Sequence, residues 1–171
     1  MNIIDSITPW DESTYGNEVK TLRVLVECEK GSVHKYEYDP ETESMVIVRD
    51  LDKKYPYPFD YGCIPQTLAE DGDALDAIVV IDKTAHEGTL LNCKVIGIFR
   101  MTDNGEADDK ILCVPFYVQH GSIPLKKITK FLEEYKYPYQ EGTILLGFEG
   151  REAALEAISA SHKHWLEAKQ K

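Results

Sequence analysis

The chain has 171 residues, of which 43% are hydrophobic and 29% are charged. This composition is typical of a globular protein and excludes a wholly disordered, collagen-like or mucin-like chain. Thirty acidic residues against 19 lysines and arginines leave a net charge of -11, which would repel nucleic acids and anionic membranes. We therefore expect one domain spanning residues 1–171, with neither a nucleic acid nor a membrane as its partner.

The start of the chain and its cysteines favour a cytoplasmic protein. The first ten residues lack the basic and apolar regions of a signal peptide, and the longest apolar runs are too short to span a bilayer. The cysteines are scattered singly without a C-x-x-C pair, which favours buried free thiols over a metal or redox site. They are Cys28, Cys63, Cys93 and Cys113.

Strand patterns dominate the first two thirds of the chain. Apolar residues alternate with other residues from Thr21 to Glu29, which is the period of a strand. The next segment, Tyr55–Gln66, is rich in proline and tyrosine and predicts an ordered aromatic loop. Further short strands are predicted from runs rich in Val and Ile, at His34–Tyr38, Met45–Arg49, Ala77–Ile81, Thr89–Met101 and Ile111–Val118.

Helix patterns are concentrated at the end of the chain. Ser122 followed by Pro124 resembles an N-cap with an early proline, and apolar residues then recur at helical spacing as far as Tyr135. A second helix is predicted from Arg151 to near the C-terminus, and its His162 and His164, which point to different faces, are expected to pack or face solvent rather than bind metal. Strands first and helices last predict an α+β fold, with a small barrel and helices outside it.

The segment Glu70–Val80, EDGDALDAIVV, contains the strongest chemical signal. Asp71, Asp73 and Asp76 place three carboxylates within six residues, and without a cation they would repel one another. A solvated acidic turn is the alternative, but the apolar run that follows fixes the cluster to the end of a buried strand. The spacing does not fit an EF-hand, because Leu75 stands at a ligand position. Oxygen ligands of this kind suit Mg²⁺, Mn²⁺ or Ca²⁺.

A second acidic segment, Thr102–Lys110, lies between two predicted strands. Alone it is typical of a solvated loop, but paired with the first it could complete a site for two or more hard cations through Asp103 and Asp108. Positive residues also occur within or beside the predicted elements. Each could be an ordinary solvated charge, yet Arg, Lys and Tyr are also the donors that bind phosphate. These positive residues are Lys35, Arg49, Lys110 and Lys136.

The string EDGDALDAIVV closely resembles the D-[SGDN]-D-[PE]-[LIVMF]-D signature of the soluble family I inorganic pyrophosphatases, and departs from it only at Ala74. The resemblance extends from about Val24 to Lys136. It is carried, in the family's order, by ECEKGSVHKYEYD, Arg49, YPYPFDYGCIPQTLAEDGD, MTDNGEADDKILCVP and FLEEYK. Several separate motifs in one order make a chance similarity very improbable.

The resemblance implies an OB-like five-stranded β-barrel with flanking α-helices, and hydrolysis of pyrophosphate to two phosphates by metal-activated water. It assigns Asp73 as the general base. It implies several Mg²⁺ ions, with Mn²⁺ as a possible substitute, and a homo-oligomer that is commonly a hexamer. The implied metal ligands are Asp71, Asp76 and Asp108 for a first ion, Asp76 again for a second, Asp103 and Asp108 for an ion carried by the substrate, and Glu27 through water.

The resemblance also implies substrate-binding residues. Tyr61 is expected to tune the surroundings of the general base, and Glu37 and Tyr57 match supporting positions. The expected phosphate-binding set is Lys35, Arg49, Lys110, Tyr135 and Lys136.

The sequence departs from the family pattern at three places, Val48, Asn104 and the segment Gly142–Gly150. None of them removes an expected ligand or the expected base. The residues alone are also compatible with two other functions. One is a catalytically weak or silent barrel that binds divalent cations or a partner, and the other is a phosphohydrolase for a larger phosphoanhydride. No glycine-rich nucleotide-binding motif occurs.

Overall fold

The computed structural model describes residues 2–12, 20–119, 121–136 and 142–170. Within them the chain forms three helices and ten strands. The helices are α1 (Ile3–Ser6), α2 (Leu125–Glu134) and α3 (Arg151–Lys169). The strands are β1 (Trp10–Asp11), β2 (Thr21–Cys28), β3 (His34–Asp39), β4 (Ser44–Asp50), β5 (Asp60–Cys63), β6 (Asp76–Val79), β7 (Leu90–Asp103), β8 (Glu106–Ala107), β9 (Lys110–Pro115) and β10 (Thr143–Gly150).

Five strands close into a ring in the order β2, β5, β6, β9 and β7, and β7 pairs back onto β2. All neighbours in the ring are antiparallel except β6 and β9, which are parallel. Strands β1 and β10 extend the sheet beyond the ring, while β3 and β4 form a separate hairpin. The α+β fold and the OB-like five-stranded barrel with flanking helices are thereby confirmed.

The apolar residues form two packed clusters. One fills the barrel and extends to α3 through Ala154 and Ile158. The other is aromatic and lies against α2, where the ring centroids of Phe131 and Tyr135 are 4.7 Å apart. The strand β2 is buried on both faces rather than one, so its alternating pattern does not mark a solvent-facing side. Strand β2 pairs with β1, β5 and β7, and both of its faces are covered, including the face on which the more polar residues lie.

The prediction of a loop throughout Tyr55–Gln66 was wrong, because β5 occupies Asp60–Cys63 within it. The prolines flank this strand and do not interrupt its ladder. Gly62 sits where β2 and β5 approach closely. A Cβ atom there would lie 1.9 Å from the carbonyl oxygen of Leu25, so only glycine fits.

One smaller expectation was wrong, and two short elements were not predicted. The N-cap of α2 is Pro124 rather than Ser122, and no side chain caps this helix. The short helix α1 and the strand β1 were not predicted, since both are shorter than the window in which periodicity can be recognised.

Asp60 is a buried acid that the sequence analysis missed. Its carboxylate accepts hydrogen bonds from Lys30 N at 2.8 Å, Thr84 Oγ1 at 2.5 Å and Ala85 N at 2.7 Å. Asp60 pairs with Val79, at the end of the β5–β6 ladder opposite Asp76. Asp60 therefore joins the segments around Lys30 and Thr84 at one end of the barrel, whereas Asp76 lies at the opposite end of the ladder.

Candidate active site

The acidic loop, residues 67–75, leaves the barrel after β5 and returns as β6. Gly72 adopts a φ of +90°, a conformation that side-chain-bearing residues rarely take. The backbone N–H of Asp73 donates to the carboxylate of Asp71 at 3.0 Å, and the N–H of Ala69 donates to the carbonyl of Asp73 at 2.8 Å. The loop is thus a closed turn, and Asp71 and Asp73 are both exposed at its tip.

Asp76 begins β6 and is tied to buried partners. The hydroxyl of Tyr61 donates to it at 2.6 Å, and the ammonium of Lys110 lies 2.6 Å from the same carboxylate oxygen. Lys110 is only 1% exposed and also contacts Asp108 at 2.5 Å. Burial opposes its charge, but Asp76 and Asp108 outweigh that effect and raise the pKa of Lys110. A lysine that stays charged therefore joins the acidic loop to the second acidic segment.

Lys136 forms a second cationic bridge. Its ammonium lies 2.8 Å from Asp103 and 3.1 Å from Asp108, while Thr143 Oγ1 donates to Asp103 at 3.3 Å. Burial would raise the pKa of the Asp108 carboxyl, but Lys110 and Lys136 reverse this and lower it. Asp108 therefore stays ionised between two lysines.

The β3–β4 hairpin forms one wall of the site. Lys35 and Arg49 are paired across the two strands, and Lys35 lies 2.5 Å from Glu37. Burial disfavours the charge of Lys35, yet Asp76 and Glu37 prevail and raise its pKa. The Nε of Arg49 is buried and has no hydrogen-bond partner among the described residues. Since a buried donor without a partner is costly, this nitrogen is suited to an incoming anion.

Two further predicted residues, Tyr57 and Tyr135, belong to the aromatic cluster against α2. Tyr57 is 1% exposed, and its hydroxyl is a second buried polar atom without a partner in the part of the chain that the structure describes. Its ring lies 6.5 Å from that of Tyr135, which is itself 5% exposed. Both hydroxyls are thus carried on rigid, packed rings.

Glu27, near the end of β2, is 6% exposed. Its carboxylate accepts a hydrogen bond from the backbone of Tyr38 at 2.9 Å. Burial raises the pKa of Glu27 from 4.5 to about 8, with Asp76 adding to the rise and the Tyr38 bond opposing it. A carboxyl with this pKa holds its proton near neutrality until a cation compensates its charge.

We expect the pH dependence of stability to reveal Glu27. Between its unfolded pKa of 4.5 and its folded pKa of about 8, only the folded state keeps the proton, so unfolding becomes easier as the pH rises. Glu27→Gln removes this contribution. In EDTA, the stability of the variant relative to the parent protein should therefore increase by a few kcal/mol from about pH 5 to about pH 8. Urea unfolding across this range measures the difference, and a constant difference would contradict the pKa.

One cavity of about 690 Å³ collects nearly all of the predicted residues. Of the fourteen side chains predicted to be functional, thirteen line it, and only Tyr57 lies behind the lining. Asn104 also lines the cavity, while Val48 is exposed on β4 outside it. Asp5, Trp165 and Lys169 line it too. No motif pointed to these three residues, because they come from the two ends of the chain.

The described lining contains nine carboxyl side chains and five lysine or arginine side chains. Among the described residues no three acidic, histidine or cysteine side chains converge closely enough to form a metal-ligand group, because lysines stand between Asp76, Asp103 and Asp108. An excess of carboxylates repels a free polyanion, whereas hard divalent cations favour such ligands. The residues therefore fit a site for cations and phosphate together.

No helix within the described ranges is both long and apolar enough to cross a membrane.

Comparisons with known proteins agree with this arrangement. The family model described as inorganic pyrophosphatase matches residues 24–166. The inorganic pyrophosphatase of Streptomyces coelicolor is 40% identical, covering 83% of this chain and 94% of its own length. That of Synechocystis is 36% identical, covering 84% and 91%.

The crystal structure of the inorganic pyrophosphatase from Thermus thermophilus matches with a TM-score of 0.84 and 30% identity, over 96% of this chain and 99% of that one. The family match contains every residue that lines the cavity except Ile4 and Asp5 in α1 and Ala168 and Lys169 at the end of α3. The chain belongs to the inorganic pyrophosphatase family.

Proposed function

We propose that this protein hydrolyses inorganic pyrophosphate to two phosphates, with Asp73 as the general base. The observation that carries the proposal is that one cavity brings together the acidic loop, Asp103, Asp108 and four lysine or arginine side chains of the family motifs. Each of these groups matches a motif of the family, and a pyrophosphate with its counter-cations needs both signs of charge in one place.

The carboxylates are suited to hold Mg²⁺, with Mn²⁺ as a possible substitute. We assign Asp71, Asp76, Asp103 and Asp108 as direct ligands and Glu27 as a ligand through water. When bound, divalent cations would neutralise the substrate and acidify the attacking water. Lys110 and Lys136 now contact the carboxylates, and metal binding would release them in part to bind phosphate oxygens.

We assign Asp73 to accept a proton rather than to hold an ion. Its pKa is raised by partial burial, and further by Asp71, Glu37 and Asp76. A base whose pKa lies closer to neutrality takes a proton more effectively in the transition state. Tyr61, bonded to Asp76, holds that neighbouring carboxylate in a fixed orientation.

The donors on the opposite wall are suited to the phosphates. Arg49 offers a planar fork with a buried, unpartnered Nε, and Lys35 offers a compact charge beside it in the hairpin. Tyr135 is a neutral donor on a packed ring, Tyr57 supports that ring from behind the cavity lining, and Glu37 orients Lys35. No covalent nucleophile is required, since positioning and electrostatics carry most of phosphoryl transfer.

The decisive assay measures phosphate release from pyrophosphate and from ATP, each in Mg²⁺ and in excess EDTA. We expect release from pyrophosphate in Mg²⁺ and none in EDTA. Preference for ATP would indicate the larger phosphoanhydride, and no release from either would indicate a silent cation-binding barrel. Full activity in EDTA would contradict the role given to metal ions.

Arg49→Ala is expected to separate substrate binding from metal binding. The guanidinium is assigned to phosphate oxygens, so kcat/KM for pyrophosphate should fall by roughly ten- to two-hundredfold, on the scale of losing a charged hydrogen bond. Mg²⁺ binding without substrate, measured by titration calorimetry, should stay close to that of the parent protein. Arg151→Ala, in an exposed position at the start of α3, is the control. Equal loss of Mg²⁺ affinity in Arg49→Ala would contradict the assignment.

We further propose a cytoplasmic homo-oligomer, a hexamer by family resemblance, built from a single domain over residues 1–171. Ile144 and Leu146 are 57% and 65% exposed on β10, an edge strand of the sheet, and such apolar edges are commonly covered by another subunit. The four cysteines are buried free thiols, as expected in a reducing compartment. A monomeric mass in analytical ultracentrifugation would contradict the oligomer.

A further inference from the structure

The two ends of the chain meet behind the acidic loop. The side chain of Asp5, in α1, accepts hydrogen bonds from Trp165 Nε1 at 3.1 Å and from Lys169 Nζ at 2.7 Å, both on α3. Together these three residues form what we call the terminal clamp. Asn2 also contacts the Asp5 carboxylate at 3.1 Å. The clamp lines the same cavity as the acidic loop, although it contains none of the expected ligands or substrate-binding residues.

The clamp is attached to the acidic loop through Gln66. The backbone N–H of Gln66 donates to the carbonyl of Ile4 at 2.8 Å, and its side-chain amide donates to the carbonyl of Asp5 at 2.9 Å. Its own carbonyl accepts from His162 Nδ1 at 2.6 Å. Gln66 therefore makes three hydrogen bonds that fix it, two to carbonyls of α1 and one from His162 of α3.

Gln66 needs this support because its backbone is strained. Its φ is +51°, in the left-handed region that a residue with a Cβ atom rarely adopts. Such conformations persist where surrounding contacts fix them, and they often occur beside functional sites. Without the bonds to Ile4, Asp5 and His162, Gln66 would relax toward ordinary backbone angles.

The conformation of Gln66 sets the direction in which the acidic loop leaves the barrel. Thr67 follows directly, and its hydroxyl donates to the carbonyl of Ile64 at 2.6 Å while accepting from Leu75 N at 2.9 Å. The N–H of Leu68 then donates to the carbonyl of Ser161, on α3, at 3.0 Å. A change at Gln66 would therefore move the loop tip, whereas Asp76 is fixed separately by its place in β6.

We propose that Asp5 is a positioning residue for the active site. The terminal clamp holds Gln66 in its strained conformation, and so keeps Asp71 and Asp73 turned toward the cavity for metal binding and proton transfer. The inference rests on the proposed function only for the roles of those two carboxylates. The mechanical link from Asp5 to the acidic loop stands on the hydrogen bonds alone.

The test compares Asp5→Ala with Lys163→Ala. Lys163 lies on the same helix, in an exposed ion pair with Glu167 at 3.7 Å, and does not line the cavity. Trp165→Phe is a second variant, which removes the Nε1 donor to Asp5 and also replaces the indole that stacks on His162 and lies under Lys169 with a smaller ring. If Asp5→Ala does not fold, Trp165→Phe alone decides the question.

Three measurements separate positioning from general support. Titration calorimetry with Mg²⁺ alone should show roughly ten- to a hundredfold weaker binding in Asp5→Ala, the scale of losing an outer contact to a metal site. Hydrogen exchange at the amides of Leu68, Ala69 and Leu75 should be faster than in Lys163→Ala. Steady-state kinetics should show that excess Mg²⁺ restores most of kcat, so that the defect appears chiefly in the metal requirement. Trp165→Phe should show the same pattern with a smaller amplitude.

Asp5→Ala would overturn the inference if it lowered the melting temperature while its Mg²⁺ affinity and loop exchange matched those of Lys163→Ala. The terminal clamp would then stabilise the fold without positioning the acidic loop. A parent protein that bound no Mg²⁺ would instead contradict the proposed function, and the exchange of the loop amides would still decide whether Asp5 holds the acidic loop.

Discussion

Asp73→Asn is expected to lower the rate of pyrophosphate hydrolysis by roughly two to four orders of magnitude, which is the usual scale for removing a general base. The substitution is nearly isosteric. Asp73 contributes to the fold through its backbone, which bonds to Ala69 and to the carboxylate of Asp71, and these bonds do not need its charge. The variant should therefore fold, bind Mg²⁺ close to normally and bind pyrophosphate at least as well as the parent protein.

The matched control is Glu70→Gln. Glu70 is exposed in the same loop but does not line the cavity, so this change removes the same charge without removing the proposed base. Raising the pH should recover part of the lost rate in Asp73→Asn, because hydroxide then replaces the missing proton acceptor. A variant with parental turnover, or one whose only defect is weaker Mg²⁺ binding, would show that Asp73 is a bystander or a ligand.

Much of the fold could be predicted because long strands and helices carry their own periodicity. The ring strands β7 and β9 and the helix α3 were each located within about three residues, the usual accuracy of element boundaries. The strand β5 was missed because its four residues lie among prolines. Its strand conformation comes from its neighbours β2 and β6, and no local signal records that pairing.

The predicted site residues were located by motif, but their pairings could not be. Lys110 gives the clearest example, since nothing in the sequence says that it is buried between Asp76 and Asp108. That position depends on the parallel register of β6 and β9, which sets Asp76 beside Lys110. Gln66 and Asp5 were missed for the same reason, because their roles rest on contacts between residues 61 positions apart.

The interleaving of lysines with carboxylates has a consequence for the metal-free protein. The positive charges of Lys110 and Lys136 offset the repulsion among three aspartates, Asp76, Asp103 and Asp108, within a partly buried space. We expect metal binding to displace the two lysines but to move the carboxylates little, and preorganisation of this kind favours catalysis. If Lys110 and Lys136 leave the carboxylates when metal binds, we expect phosphate oxygens in the same cavity to become their partners.

Asp76→Asn is expected to abolish Mg²⁺ binding and hydrolysis together, in contrast to Asp73→Asn. Asp76 is proposed to bridge two ions, so the loss of its charge should weaken Mg²⁺ binding by more than about a hundredfold, beyond the effect of an outer contact. The hydroxyl of Tyr61 can still donate to the new amide oxygen, which preserves local geometry. Titration calorimetry and phosphate release, measured on the same preparation, test whether the two losses coincide.

The stability of the metal-free Asp76→Asn variant is an independent test of the contacts of Asp76. Asp76 is one of the two carboxylates that compensate the buried ammonium of Lys110, so Asp76→Asn leaves that charge with Asp108 alone. Removing a partner from a buried ion pair is destabilising, and the metal-free variant should unfold at lower urea than the parent protein. Asp82→Asn, at an exposed position just after β6, is the control and should change neither property. If Asp76→Asn bound Mg²⁺ and turned over normally, Asp76 would be a structural partner of Lys110 and Tyr61 rather than a metal ligand.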